Sequence, residues 1–130
     1  MSWTTDATGR VATAEGRVSL GSAGRNVSLQ KKIGKEGQTG DVGFHLIGDI
    51  LGGPTNRLNV VPGNGGRLPN VDAPNLNQEA YGSFERNIRD TLEKNKNAVV
   101  EMRVSTRYKS GNASSRPDSF VAEYRVDGGN

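Results

Sequence analysis

The stretch Asp41-Val42-Gly43-Phe44-His45-Leu46-Ile47-Gly48 decides how the rest of the chain is read. Phe44, Leu46 and Ile47 make it apolar and strand-like, yet it holds an imidazole, and His45 is the only histidine among 130 residues. A ring that titrates near neutrality inside an apolar strand is either a satisfied core residue or a proton acceptor placed for chemistry. What flanks it decides between the two. Upstream, Gly34, Gly37, Gly40 and Gly43 punctuate a polar segment that carries Lys31, Lys32 and Lys35. Downstream, from Gly52 to Pro74, prolines, glycines and asparagines make a long loop with one short strand candidate, Leu58 to Val61. Loops of that length in a small domain usually serve function when they are ordered, and Arg57 gives this one a cation.

Past the loop the periodicity becomes helical. Asn75 is placed to cap a helix in which Ala80, Tyr81, Phe84, Ile88 and Leu92 recur at three- and four-residue intervals, predicting one apolar face through about Lys94. Val100, Met102, Val104, Thr106 and Tyr108 then alternate with Glu101, Arg103, Ser105 and Arg107, the pattern of a half-buried strand. Phe120, Ala122, Tyr124 and Val126 repeat it, so the two segments are expected to pair as a hairpin across Lys109 to Asp118. Toward the amino end, Arg10 to Ala14 and Arg17 to Leu20 read as two short strands or one bent pair, with Val27 and Leu29 continuing the alternation. Residues 1–9 read as a leader or junction remnant, leaving residues 10–130 as one domain. The expected class is α+β, an antiparallel sheet with one main helix.

Composition narrows the chemistry. With 32% apolar residues and 18 glycines the core must be small and the turns many, and no run approaches the roughly 20 apolar residues that would span a membrane. Zero cysteines and one histidine exclude disulfides, thiolate zinc sites and multi-histidine cages. A metal would rest on oxygen ligands and that one imidazole, a set suited to magnesium or manganese. The 17 Lys+Arg against 14 Asp+Glu give a net charge of +3, mildly attractive to polyanions. Arg103, Arg107, Lys109, Arg116 and Arg125 gather in the last third, as a solvated strand face or a substrate groove. Gly63 to Gly66 lacks the following Lys-Ser or Lys-Thr of a triphosphate cradle, which excludes that site.

The order Asp41-Val42-Gly43-Phe44-His45-Leu46-Ile47-Gly48, then Asn59-Val60-Val61-Pro62, then Leu76-Asn77-Gln78-Glu79-Ala80-Tyr81 with Glu85 beyond, resembles the DNA/RNA non-specific endonuclease family of ββα-metal (His-Me finger) nucleases. Within it the chain looks like the branch found as toxin domains at the carboxyl ends of bacterial secreted effectors. The resemblance runs from about Arg17 to Gly129, including the Arg116-Pro117 turn. It implies a ββα-metal core and a magnesium- or manganese-dependent endonuclease acting on DNA, and on RNA, through backbone contacts. It implies His45 as general base and Asn77 as side-chain ligand of a single ion. An imidazole can take a proton from water poised at a phosphodiester, and a neutral carboxamide leaves the ion's charge available to the phosphate.

Glu85 follows Asn77 by about 80° around the helix and roughly 12 Å along it. It is therefore expected to hold a water of the ion's shell or orient a neighbour, unless it is an ordinary helix acid. Asn59 matches a family asparagine near the metal that positions the helix or the scissile phosphate, or it is a turn residue. Asp41 is expected to brace the loop that holds the histidine. The chain departs from the commoner motif where Val42 replaces an arginine and Phe44 a glycine, so the phosphate-clamping cation must come from elsewhere, with Arg57 and Arg116 as candidates. The toxin-like branch further implies delivery into a target bacterial cell, action in its cytoplasm, and a cognate immunity protein. The rival expectations are a catalytically silent nucleic-acid-binding module of the same fold and a small domain that binds only a protein partner.

Overall fold

In a computed structural model of the protein, residues 1–22, 24–64 and 80–127 are described. The carboxyl-terminal alternation folds as its period demands. Strands β5 (Val99–Arg107) and β6 (Ser119–Asp127) pair antiparallel in unbroken register, Val104 opposite Ala122 and Met102 opposite Tyr124. Val100, Met102 and Val104 point inward and are buried, while Glu101 and Arg103 face solvent. On the other side of β5 lies β2 (Val11–Val18), a single continuous strand where the sequence suggested two short pieces. Its outer neighbour is β1 (Ser2–Thr5), which completes a four-stranded antiparallel sheet in the order β1-β2-β5-β6.

β1 places Ser2–Thr5, within the stretch read as a leader or junction remnant, in the large sheet. Trp3 packs against the core and its indole N–H reaches the Asn59 carboxamide oxygen at 3.4 Å. Ser2-Trp3-Thr4-Thr5 is too short for an alternation to show; its place is set by pairing with β2.

One correction is α1 (Val27–Lys35), where alternation had been read through Val27 and Leu29. Asn26 caps it, its side chain accepting the Leu29 N–H at 3.0 Å, and Lys32 and Lys35 sit in the last turn, where cations suit the helix dipole. The protein therefore has two helices among its described residues rather than one. α1 lies unusually close to β3 (Asp41–His45): a Cβ on Gly34 would come within 2.7 Å of the Gly43 N and the Val42 carbonyl carbon, so only glycine permits this approach. Gln30 Nε2 donates to the Gly43 carbonyl across the same seam.

β3 pairs antiparallel with β4 (Val60–Asn64) in a separate two-stranded sheet, and α2 (Ala80–Lys94) follows. The Asn75 expected to cap α2 lies outside the described residues. Ile88 and Leu92 are buried where the apolar stripe predicts. One cluster unites the layers: Phe44, Leu46, Ile47, Leu51 and Val61 meet Ile88 and Leu92 of α2 and the inward row of the large sheet. Phe44, the departure from the commoner motif, is a core residue whose ring lies 5.4 Å from that of Phe120. The architecture is α+β with antiparallel sheets, and its β3-β4-α2 order is that of a ββα core.

Candidate active site

β3 ends on His45, which pairs with Val60, and the chain then leaves the ladder. Leu46 and Ile47, expected to continue the strand, enter the connection to β4 instead, with Leu46, Ile47 and Leu51 fully buried. Asn59 makes that buried connection possible. Its Oδ1 accepts from Ile47 N at 3.0 Å and from the Trp3 indole; its Nδ2 donates to Ile47 O and Pro54 O, both at 2.9 Å. Every hydrogen-bonding position of the carboxamide is used, and the residue is wholly buried. Asn59, expected to position the helix or the scissile phosphate or to be a turn residue, here spends its carboxamide on holding the loop.

His45 is only 8% exposed, and its Nε2 lies 2.9 Å from Thr55 Oγ1. Burial, reinforced by the nearby Arg25 charge and opposed by Asp49, holds its pKa below the ordinary 6.5. The lowered pKa favours the neutral ring. A neutral imidazole carries one proton, and if Nε2–H donates to Thr55, Nδ1 keeps a lone pair that no hydrogen bond among the described residues occupies. In that tautomer Thr55 leaves Nδ1 as the nitrogen that can accept a proton. Nothing in the spacing around Pro54-Thr55 pointed to it.

Glu85, on α2, sits at the edge of the apolar stripe and turns toward Gly48, three residues past the histidine. A Cβ at Gly48 would meet the Glu85 carboxylate, so a side chain there would push the carboxylate aside. Burial pushes the Glu85 pKa above the usual 4.5, while the charges of Arg89 and Arg25 pull against it. No hydrogen bond or ion pair among the described residues satisfies this carboxylate.

Arg25 is the common neighbour. It is exposed, acts electrostatically on both His45 and Glu85, and makes no ion pair among the described residues. Its segment is tied to the far side of the histidine loop, because Gly21 N donates to Ile50 O at 3.0 Å and Ser22 Oγ donates to both oxygens of Asp49. Sequence reasoning missed Arg25 because only folding brings the turn before α1 beside a strand twenty residues later.

The arginines that were expected to clamp phosphate are committed elsewhere. Arg57 makes a two-pronged pair with Glu36, at 2.8 and 2.9 Å. Arg116 makes another with Asp41, its Nε 2.6 Å from Oδ2, and the Asp41 side chain is only 4% exposed. Asp41 also accepts from Gln38 N, so it pins the turn that enters β3 and links it to the β5–β6 connection. Arg103 and Arg125 face Glu15 and Glu101 on the outer sheet surface, a charge-paired strand face.

Asn77, the expected ion ligand, lies outside the described residues. Among the described residues no group of three His, Cys, Asp or Glu side chains could by itself hold a metal. A desolvated carboxylate at Glu85, without a hydrogen bond or ion pair among the described residues, nevertheless fits a hard divalent ion, which takes few protein ligands and completes its shell with water and phosphate oxygens.

A family model described as DNA/RNA non-specific endonuclease matches residues 1–128, and the chain belongs to that family. No curated protein sequence matches it.

Proposed function

With that membership as premise, which makes the chain a nuclease acting on nucleic acid, we propose that it is a magnesium-dependent endonuclease in which His45 is the general base. The observation that carries the reading is a buried imidazole whose Nε2 lies against Thr55 and whose Nδ1 has no hydrogen bond among the described residues, beside a loop that packs against Glu85, a carboxylate with no hydrogen bond or ion pair among the described residues. Nδ1 takes a proton from water as the water oxygen bonds to phosphorus; the bond from phosphorus to the 3′-oxygen breaks, leaving a 5′-phosphate on the product. A divalent ion ligated by Asn77, with Glu85 holding a water of its shell and magnesium as the proposed species, would supply positive charge to the phosphate oxygens and the leaving group. Arg25, the cation that His45 and Glu85 share, neutralises a neighbouring phosphate, replacing the arginine that Val42 displaces from the commoner motif.

Little base readout is expected, because the groups offered are cations and hydrogen-bond donors suited to backbone phosphates. Lys31, Lys32 and Lys35 on α1 are exposed and extend that footprint.

The resemblance to toxin domains extends the proposal: the chain acts in the cytoplasm of a target bacterium after delivery within a larger effector, and a cognate immunity protein restrains it. Both levels are tested together. Plasmid DNA and RNA are incubated with the protein plus magnesium, with a chelator, and with His45→Ala. Cleavage should require the metal and fall by roughly 10²- to 10⁴-fold in the variant. Undiminished cutting by His45→Ala, or cutting in chelator, would refute the mechanism, and binding without cutting in any metal would favour a silent module. Expression in a bacterial cytoplasm should be toxic for the parent chain and tolerated for His45→Ala; equal growth would remove the toxin reading.

A further inference from the structure

The two edges of the large sheet are built differently. β1 has four residues and its register with β2 slips between Thr4 and Thr5, which blunts it. β6 has nine residues in unbroken register with β5, without proline, lysine or bulge. Its inward row, Ala122, Tyr124 and Val126, continues the buried row of β5. Yet Tyr124 and Val126 remain 38% and 43% exposed although their partners Met102 and Val100 are 3% and 0% exposed. Its outward row carries Glu123, which has no ion pair among the described residues, next to Arg125.

We propose that β6 pairs antiparallel with β6 of a second copy of this chain, about a two-fold axis passing through Tyr124. Such an axis is normal to the sheet and keeps each face on its own side, so it must pass through a residue and not between two. Four centres are worth comparing. At Glu123, two carboxylates oppose each other; at Arg125, two guanidinium groups do, and Glu123 meets Asp127. At Ala122 no opposite charges meet. At Tyr124, Glu123 falls opposite Arg125 twice and Ala122 opposite Val126 twice, while the exposed Tyr124 and Val126 close into the seam. This register matches both the charges and the apolar row, and directly opposed pairs are the unit that stabilises a sheet. The contact joins two four-stranded sheets edge to edge.

Sedimentation velocity across a concentration series reads it first: a mass of 13.9 kDa at low concentration should double as concentration rises. Glu123→Arg alone and Arg125→Glu alone should each abolish the doubling, and the combined swap should restore it, with circular dichroism showing all three folded. Because the chain has no cysteine, a second test is clean. Tyr124→Cys places a thiol opposite itself on the axis, with Cβ atoms about 5 Å apart, and should form a disulfide-linked dimer under mild oxidation. Ala122→Cys, opposite Val126, should not. A protein that stays monomeric at every concentration, a dimer indifferent to both single charge reversals, or equal cross-linking at both cysteines would overturn the proposal.

Discussion

Asn59 and Glu85 are both polar groups packed against the histidine loop, and they are treated in opposite ways. Asn59 is completely buried and completely bonded, every donor and acceptor spent on the backbone of Ile47 and Pro54 and on Trp3. Glu85 is desolvated and left without a hydrogen-bond partner among the described residues, its pKa raised in consequence. A saturated polar group stabilises the fold and can do nothing else. An unsatisfied one costs stability, and such cost is tolerated where a ligand or substrate completes the set. The comparison separates the scaffold of this site from its working face more cleanly than proximity to His45 does.

Asn59→Ala should give the largest break. It strands the Ile47 N–H and two carbonyls in a buried loop, at about 1 to 3 kcal/mol for each unsatisfied group, so a loss of about 3 kcal/mol is expected in urea denaturation. A loss confined to activity, with stability unchanged, would place Asn59 on the working face after all.

Glu85→Gln should act the other way. Cleavage should fall on the order of 10- to 100-fold and the magnesium requirement should rise. Stability should not fall, and its pH dependence fixes the sign. A carboxyl whose folded pKa is raised binds its proton more tightly in the folded state, so the parent chain loses stability as pH climbs above the unfolded 4.5. The variant, with no carboxyl to ionise, should lose that component of the slope. An unaltered slope would show that Glu85 is solvated.

The smallest contrast sets two arginines against each other. Arg25→Ala should lower cleavage about tenfold, the worth of one charge-assisted hydrogen bond of about 1.5 kcal/mol, and reduce the salt dependence of binding by about one unit. Arg57→Ala, whose guanidinium is already paired with the exposed Glu36, should leave both unchanged. Equal effects would mean that the Arg57–Glu36 pair opens to meet the substrate.

Much of this was legible before folding. The β5–β6 hairpin and the Ile88–Leu92 face of α2 follow from periods of two and of 3.6 residues, and the family from the ordered run Asp41 to Glu85. α1 was not, because nine residues offer little more than two turns, and Val27 and Leu29 match a strand spacing equally well. The signal that would have found it is Asn26, a capping residue three places before Leu29. The roles of Asn59, Thr55 and Arg25 were invisible for a different reason. Each depends on a partner brought near by the loop between β3 and β4, and a hydrogen bond to a backbone carbonyl leaves no mark on the identity of the residue that owns it. The ion pairs of Arg57 and Arg116 were invisible for the same reason: a free cation and a paired one look alike in sequence.

Because His45 is the only histidine, its ring nitrogens can be observed directly. Nitrogen-15 NMR through a pH titration reads both tautomer and pKa at a single site. The account predicts a neutral ring at pH 7, protonated on Nε2 toward Thr55, with a pKa below 6.5 that rises toward that value in Arg25→Ala as the neighbouring positive charge is removed. Below pH 6.5 the unfolded chain takes up the proton first, so stability should fall with pH there, and that fall should vanish in His45→Ala. A ring protonated on Nδ1, or one with a pKa above 6.5, would contradict the assignment of His45 as the base.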